Sequence, residues 1–306
     1  MQTEHSFSDI LKNQWRTGGM TVRLITINVS VFLFLGFMEV LARLIGGNSF
    51  LFYLGYAFDF FHLDTTLSNF IFAPWTLVTS IFAHVKIFHL LSNMLMLYFA
   101  GQLFEQLFDG KRLLYTYLLG GIFGGFLEII AHLLFPNLGH TQVIGASGAI
   151  MAIFAALAFY RPNLQVMFFG LFPIKIIVLA GIFILIDFLS LGVSDGTAHF
   201  AHLGGVVLGL ISIKNLHSRS NIVTVFQRFV ESIGNFLQTL FGKRTPKMKV
   251  QKGGRQANFK SDEEYNLDAK QRQIQIDAIL DKIAKSGYES LTKAEKDFLF
   301  KQSKNG

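Results

Sequence analysis

The sequence predicts an all-α membrane protein, a six-transmembrane-helix bundle with a partly membrane-embedded first loop and a small helical tail. Three observations carry this. Of the 306 residues, 51% are hydrophobic and only 15% charged, a balance found in polytopic membrane chains more than in soluble domains. Several stretches hold the roughly 20 mostly apolar residues that a membrane span needs. The basic residues are unevenly placed, with 18 of the 27 Lys and Arg lying from Lys214 onward. The positive charge therefore belongs mainly to the tail, and nucleic acid is not expected as a partner. Cysteine is absent, which removes disulfides, thiolate metal sites and cysteine nucleophiles.

Residues 1–21 form a polar N-terminal segment, without the short apolar core and small-residue cut site of a cleavable signal peptide. Spans are expected at 22–45, 87–107, 113–135, 143–161, 172–192 and 198–217, each apolar on nearly all sides. Residues 48–75 form a long loop carrying Phe50, Phe52, Tyr53, Tyr56, Phe58, Phe60, Phe61, Phe70, Phe72 and Trp75. Such rings favour the headgroup region, so this loop is expected to lie partly in the membrane surface. Lys12, Arg16 and Arg23 precede the first span, Lys111 and Arg112 follow the second, Arg161 and Lys175 follow the fourth, and Lys214 and Arg219 follow the sixth. Apart from Lys86, the opposite loops are nearly free of basic residues. The positive-inside rule then puts both termini in the cytoplasm of a bacterial-type plasma membrane.

Residues 218–260 read as an amphipathic helix followed by a basic linker. Ile222, Phe226, Phe229, Val230, Ile233, Phe236, Leu237 and Leu240 recur at helical spacing, which suits a helix lying on the inner membrane face. Lys243, Arg244, Lys247, Lys249, Lys252 and Arg255 either attract anionic headgroups or form a solvated linker. Residues 261–306 read as a helical hairpin, with capping boxes at Ser261–Glu264 and Thr292–Glu295 and a stop at Gly287. Ile276, Ile279, Leu280 and Ile283 are expected against Leu291, Phe298 and Leu299. So small a unit suits docking on a protein partner, another copy or the membrane domain.

Spans two, four and six enter from the same side, and each carries polar residues near that end: His84, His89 and Asn93; Gly145, Ser147 and Gly148; His199 and His202. Singly, these are packing glue, an interhelical hydrogen bond or a wet interfacial histidine. Together, at one depth, they point to one site, because polar groups in spans face a bundle interior or a water-filled cavity. Serine needs an adjacent base to act as a nucleophile, and neutral histidine suits that role. His89, Asn93 and the Ser147 N–H are suitable donors for a developing oxyanion. Gly205 and Gly209 follow His202 at plus three and plus seven, a small-residue face suited to pressing span six against span four.

His84-Val-Lys-Ile-Phe-His89-Leu-Leu-Ser-Asn93, Gly145-Ala-Ser147-Gly148 and Ala201-His202-Leu-Gly-Gly205-Val-Val-Leu-Gly209 resemble the three span motifs of the rhomboid intramembrane serine proteases. They occur in the family's order and on the right spans, over about residues 20–217. The resemblance implies Ser147 as nucleophile, His202 as base, oxyanion support from His89 and Asn93, and a structural role for His84 in tying down the first loop. It implies transmembrane protein substrates cut near the outer leaflet, and no metal or organic cofactor. His199, a turn from His202 and lacking its glycine pattern, is expected to be incidental. Asp187 or Asp195 could stand behind His202, but the resemblance implies a dyad without a third carboxylate, so both are expected to be structural or solvated, and Glu39 and Arg43 to pair. Met151 stands where many members place an aromatic ring on the catalytic histidine. The first loop lacks the Trp-Arg pair of many relatives, so its aromatics are expected to anchor it. The rival readings are an inactive rhomboid-like protein that binds transmembrane clients, and a small transporter; the missing inverted repeats and the position of the polar residues near the outer face weigh against the latter.

Overall fold

The computed structural model describes residues 15, 18–45, 55, 58–168, 172–193, 195–241 and 262–303. Most of the N-terminal segment, the loop residues Phe50, Phe52, Tyr53 and Tyr56, the basic linker and the Ser261 end of the first capping box lie outside these. The chain divides into two compact units, residues 1–242 and 243–306.

In the first unit, six helices follow the order of the expected spans: α1 (Met20–Ile45), α2 (Ile87–Leu107), α3 (Gly110–Leu134), α4 (Ser147–Tyr160), α5 (Ile176–Leu189) and α6 (His199–Ile213). By length and composition α1, α2 and α3 are long and apolar enough to cross a membrane. The other three have 14, 14 and 15 residues. At about 1.5 Å per residue they measure roughly 21–23 Å, less than the ~30 Å hydrocarbon core.

Two expected boundaries are corrected, for backbone reasons. The span expected from 143 begins as extended chain: β1 (Leu63–Asp64) pairs antiparallel with β2 (Gln142–Val143), and the helix starts only at Ser147. The span expected from 172 begins as a hairpin strand. There β3 (Gln165–Phe168) pairs with β4 (Phe172–Lys175). Pro173 lacks a backbone N–H and biases Phe172 away from the helical region, so the helix waits until Ile176.

Polar side chains fasten the helix ends. Glu105 of α2 accepts hydrogen bonds from the Met20 and Thr21 N–H groups at 2.7 and 2.9 Å and from the Thr21 hydroxyl at 2.5 Å, closing the start of α1. Asp109 caps α3 by accepting the Arg112 N–H at 2.7 Å. Buried Glu128 of α3 accepts the Ala201 N–H at 2.8 Å in the first turn of α6. At the other end of α6, Arg112 donates to the Ser212 carbonyl (2.7 Å) and to Asn221 (3.0 Å), while Asn221 donates to the Ser212 and Lys214 carbonyls. Asn221 also caps α7 (Ile222–Phe241), accepting the Val223 N–H. Helix α7 belongs to the first unit: Phe226 meets Tyr115 edge-on and Glu231 pairs with Lys111. Its Val225, Phe229, Ile233, Phe236 and Leu237 are exposed. Glu39 and Arg43 pair on the exposed side of α1.

Helix α4 is the innermost element, buried continuously from Gly148 to Ala158. It can be enclosed because α6 and α3 approach it backbone to backbone. A Cβ at Gly205 would strike the Gly148 carbonyl oxygen, and one at Gly209 the Ala152 carbonyl oxygen. The expected glycine face is thus the contact face.

In the second unit, α8 (Asp262–Ser286) ends at Gly287, whose φ of 76° suits only glycine comfortably. The Thr292 capping box opens α9 (Lys293–Ser303): Glu295 accepts the Thr292 N–H at 2.7 Å and Lys282 at 3.0 Å. Ile279 and Leu291 are buried as expected, whereas Leu280 is exposed.

Two outcomes follow. Gly205→Val should lower the thermal midpoint of the detergent-solubilised protein, at a cost of about 1–3 kcal/mol or more, because a carbonyl cannot yield as a side chain does. The Thr292 N–H and Lys282 hold the Glu295 carboxyl down to about 2. A depressed carboxyl stabilises the hairpin fully above the ordinary carboxylate range, and that contribution disappears as pH falls through about 2. Carboxyl-carbon NMR of the full chain should give Glu295 a midpoint near 2, moving upward in Lys282→Gln.

Candidate active site

The local backbone decides how Ser147 is presented. Strand β2 leads into Gly145, whose φ is 117° and whose N–H donates to the Ser80 carbonyl at 2.9 Å. A Cβ at Gly145 would lie 2.8 Å from Cε1 of His89, so only glycine lets that imidazole rest against the chain. The Ala146 N–H donates to Nε2 of buried His84 at 3.5 Å, and the His84 and His89 rings meet edge-on at 5.0 Å. The helix then begins with Ser147 itself. The N–H groups of Ser147, Gly148 and Ala149 belong to its first turn, where no preceding helical carbonyl accepts them, and the positive end of the helix dipole lies beside the serine.

Ser147 lines a cavity of about 590 Å³ together with His89, Asn93, Met151, Asp187 and His202. All four residues expected to carry chemistry (Ser147, His202, His89 and Asn93) therefore share one space, and Met151 joins them. Asn93 donates one amide N–H to the His89 carbonyl at 2.9 Å, leaving the second uncommitted by that bond. Gly148 sits close to the Ala201 carbonyl, 3.1 Å from where a Cβ would stand, which draws the Ser147 end of α4 onto the His202 end of α6.

The first loop is held largely by backbone pairing, in addition to its aromatics. Beyond the β1–β2 ladder, Thr65 exchanges N–H and hydroxyl bonds with Thr141, and the Thr66 hydroxyl meets His140 at 3.1 Å. Phe60 stacks on Trp75 and Phe70 meets Phe126 edge-on. The segment held this way leads directly into Gly145.

Asp187, expected to be structural or solvated, is not solvated. It is buried at 6% exposure, and its Oδ1 lies 2.7 Å from Nδ1 of His202 and 2.8 Å from Nδ1 of His199. His199, expected to be incidental, also places Nε2 3.3 Å from Asp195. Asp195 is the solvated member: in the loop before α6, it is held below the usual carboxylate range chiefly by the Thr197 N–H. The available signal was that Asp187 is the one charged residue in α5, and a lone intramembrane carboxylate is costly without a partner. Its partner is set by the 190–198 connection and the rotation of α5, neither of which periodicity reveals.

Asp187, His199 and His202 are also the group among the described residues whose donor atoms lie close enough to hold a cation. Their O–N separations of 2.7 and 2.8 Å are hydrogen-bond lengths. Ligands about 2.0–2.2 Å from a tetrahedral zinc stand roughly 3.3 Å apart, so the arrangement as it stands is a shared hydrogen-bond acceptor.

A rhomboid-domain family model matches residues 72–219, the segment from the first loop to just past α6. Over these residues the chain carries a rhomboid domain. RHOMBOID-like protein 12, mitochondrial, of Arabidopsis thaliana is 32% identical over 152 residues, covering 45% of this chain and 45% of that protein. Rhomboid-like protease 3 of Toxoplasma gondii is 26% identical over 170 residues (56% and 58%), and rhomboid protease GluP of Bacillus subtilis 30% over 138 (45% and 25%). The chain thus spans less than two thirds of each of these relatives. A second model, described as a family of unknown function (DUF6576), matches residues 260–305, the tail of this rhomboid protein.

Gly145→Ala places a side chain at positive φ and against His89. It should reduce any Ser147-dependent reaction at least tenfold, more than it lowers the thermal midpoint; parallel probe-labelling and unfolding measurements check this.

Proposed function

We propose that this rhomboid protein is an intramembrane serine endopeptidase, with Ser147 as nucleophile and His202 as general base. The observation that carries the reading is the shared cavity, onto which a serine at a helix N-terminus and an imidazole on the helix held by the Gly148–Gly205 contact both open. Ser147 Oγ attacks the scissile carbonyl while His202 Nε2 takes its proton. The tetrahedral oxyanion is met by donors among His89, Asn93 and the N–H groups of the first turn of α4. His202 returns the proton to the departing amine, leaving an acyl-enzyme. Water, deprotonated by His202, then hydrolyses the ester and regenerates Ser147. None of these steps calls on a metal or organic cofactor.

All six helices span the bilayer in this reading, the extended segments before α4 and α5 lengthening two of the three short spans. The loop charges put both termini in the cytoplasm of a plasma membrane and the site toward the outer leaflet. Substrates are transmembrane segments that reach the serine laterally. An apolar cavity of about 610 Å³ lies between α2 and α5, lined by Leu95, Met96, Phe99, Leu103, Leu179 and Phe183. Met96 and Phe183 also line the Ser147 cavity, so the two cavities are neighbours with walls in common. A substrate helix must unwind to offer a peptide bond, which favours Gly or Pro near the cut. Helix α7, with its exposed apolar stripe, lies on the inner membrane face, the basic run that follows it in the sequence attracts anionic lipid, and the tail hairpin docks a protein partner.

A fluorophosphonate probe should label the detergent-solubilised protein, and labelling should disappear in Ser147→Ala and fall at least a hundredfold in His202→Ala. A labelled wild type whose labelling survives Ser147→Ala overturns the assignment. A wild type that neither labels nor cleaves a model transmembrane substrate leaves the inactive, client-binding reading instead.

A further inference from the structure

We propose that Asp187 is a positioning residue for His202, converting the serine–histidine pair into a Ser147–His202–Asp187 triad in which His199 braces the carboxylate. The inference rests on the reading of Ser147 and His202 given above and extends it to a third residue and a fourth.

The geometry constrains the protons. An ionised carboxylate only accepts hydrogen bonds, so His202 Nδ1, 2.7 Å from Asp187 Oδ1, carries a proton. A neutral imidazole has a single N–H, so Nε2 is left with its lone pair. That is the atom needed to receive the Ser147 proton. With Asp187 absent, both tautomers are available, and the one protonated at Nε2 cannot act as a base. Once Nε2 has taken the proton, the imidazolium sits against an acceptor that is largely shielded from water, its side chain 9% exposed. The carboxylate stabilises that charge without itself becoming protonated.

His199 gives the carboxylate a second fixed contact. It lies three residues before His202, on the same face of α6, and its Nδ1 meets the same Oδ1 at 2.8 Å. Its Nε2 reaches toward Asp195 in the loop before α6. Two donors converging on one oxygen set the side-chain torsions of Asp187 from two directions. Together they tie the outer end of α5 to the start of α6, so the carboxylate follows the base if α5 shifts. The plainer alternative is that Asp187 only fastens these two helices together. It predicts lost stability without a specific loss in the chemical step.

The test is steady-state cleavage of a model transmembrane substrate by the full chain in proteoliposomes. In Asp187→Asn the carboxamide can donate to Nδ1 and favour the unproductive tautomer. Its kcat should fall by about 10²–10⁴-fold, with KM within about twofold. Asp187→Glu should recover part of the loss, and added formate should raise the turnover of Asp187→Ala, whose vacated position borders the cavity. His199→Gln should cost less than Asp187→Asn. A folded Asp187→Asn protein turning over within threefold of wild type overturns the proposal, as does a loss confined to KM. Should the Asp187 variants unfold, nitrogen-15 NMR of histidine-labelled Ser147→Ala protein decides. Nδ1 protonated and Nε2 free at His202 supports the triad, and the opposite tautomer sinks it. A wild type without Ser147-dependent cleavage overturns the protease reading and this one together; an active wild type insensitive to Asp187 overturns this one alone.

Discussion

The contact on which the rest of the first unit depends is the backbone-to-backbone approach of α6 to α4. Gly205 and Gly209 present no side chain where the Gly148 and Ala152 carbonyls stand, so dispersion contacts form along the whole interface instead of at side-chain tips. In a bilayer this matters more than in water. Lipid tails are as apolar as leucine, so hydrophobic burial gives little incentive for helices to associate, and close packing has to supply it. The same contact brings the N-terminal ends of two helices together. That is why Ser147 and His202, 55 positions apart in the chain, open onto one cavity.

Around that contact, polar side chains at the helix ends are matched to particular partners. Glu105 closes α1, Glu128 closes α6, and Arg112 with Asn221 holds the far end of α6 to the start of α7. Each carboxylate meets first-turn N–H groups that would otherwise lack acceptors, which is where negative charge is most favourable on a helix. Asp187 departs from this use. Its Oδ1 stands within hydrogen-bond reach of two imidazole Nδ1 atoms in place of backbone N–H groups, and that difference singles it out from the structural carboxylates nearby.

The region before Ser147 shows why the loop and the site are one assembly. The short β1–β2 ladder, the Thr65–Thr141 exchange and the Gly145–Ser80 bond use the backbone groups that an extended approach to the helix leaves free. Starting α4 late in this way leaves it short for a span, but puts the first residue of a helix, with its unpaired N–H groups, at the serine. Function and fold compete for residues 142–146, and the glycine at 145 is where the compromise is made.

Much of this was legible in the sequence. Hydropathy located the six helices because each is apolar on nearly all sides, a signal that does not depend on their neighbours. The spacing of His89, Asn93, Ser147, His202, Gly205 and Gly209 marked the residues that meet, and the tail's Gly287 stop and Thr292 cap are local and were readable as such. What the tertiary structure alone decided is non-local. Val143 and residues 172–175 fall at the starts of runs expected to be helix; pairing of 142–143 with Leu63–Asp64 and of 172–175 with Gln165–Phe168 makes them strand. The partner of Asp187 depends on the rotation of α5 and the path of the following loop, so a carboxylate that reads as solvated or structural becomes the acceptor for both histidines. Motif and hydropathy describe what a residue is beside along the chain, whereas the chemistry of Asp187 depends on what lies across from it.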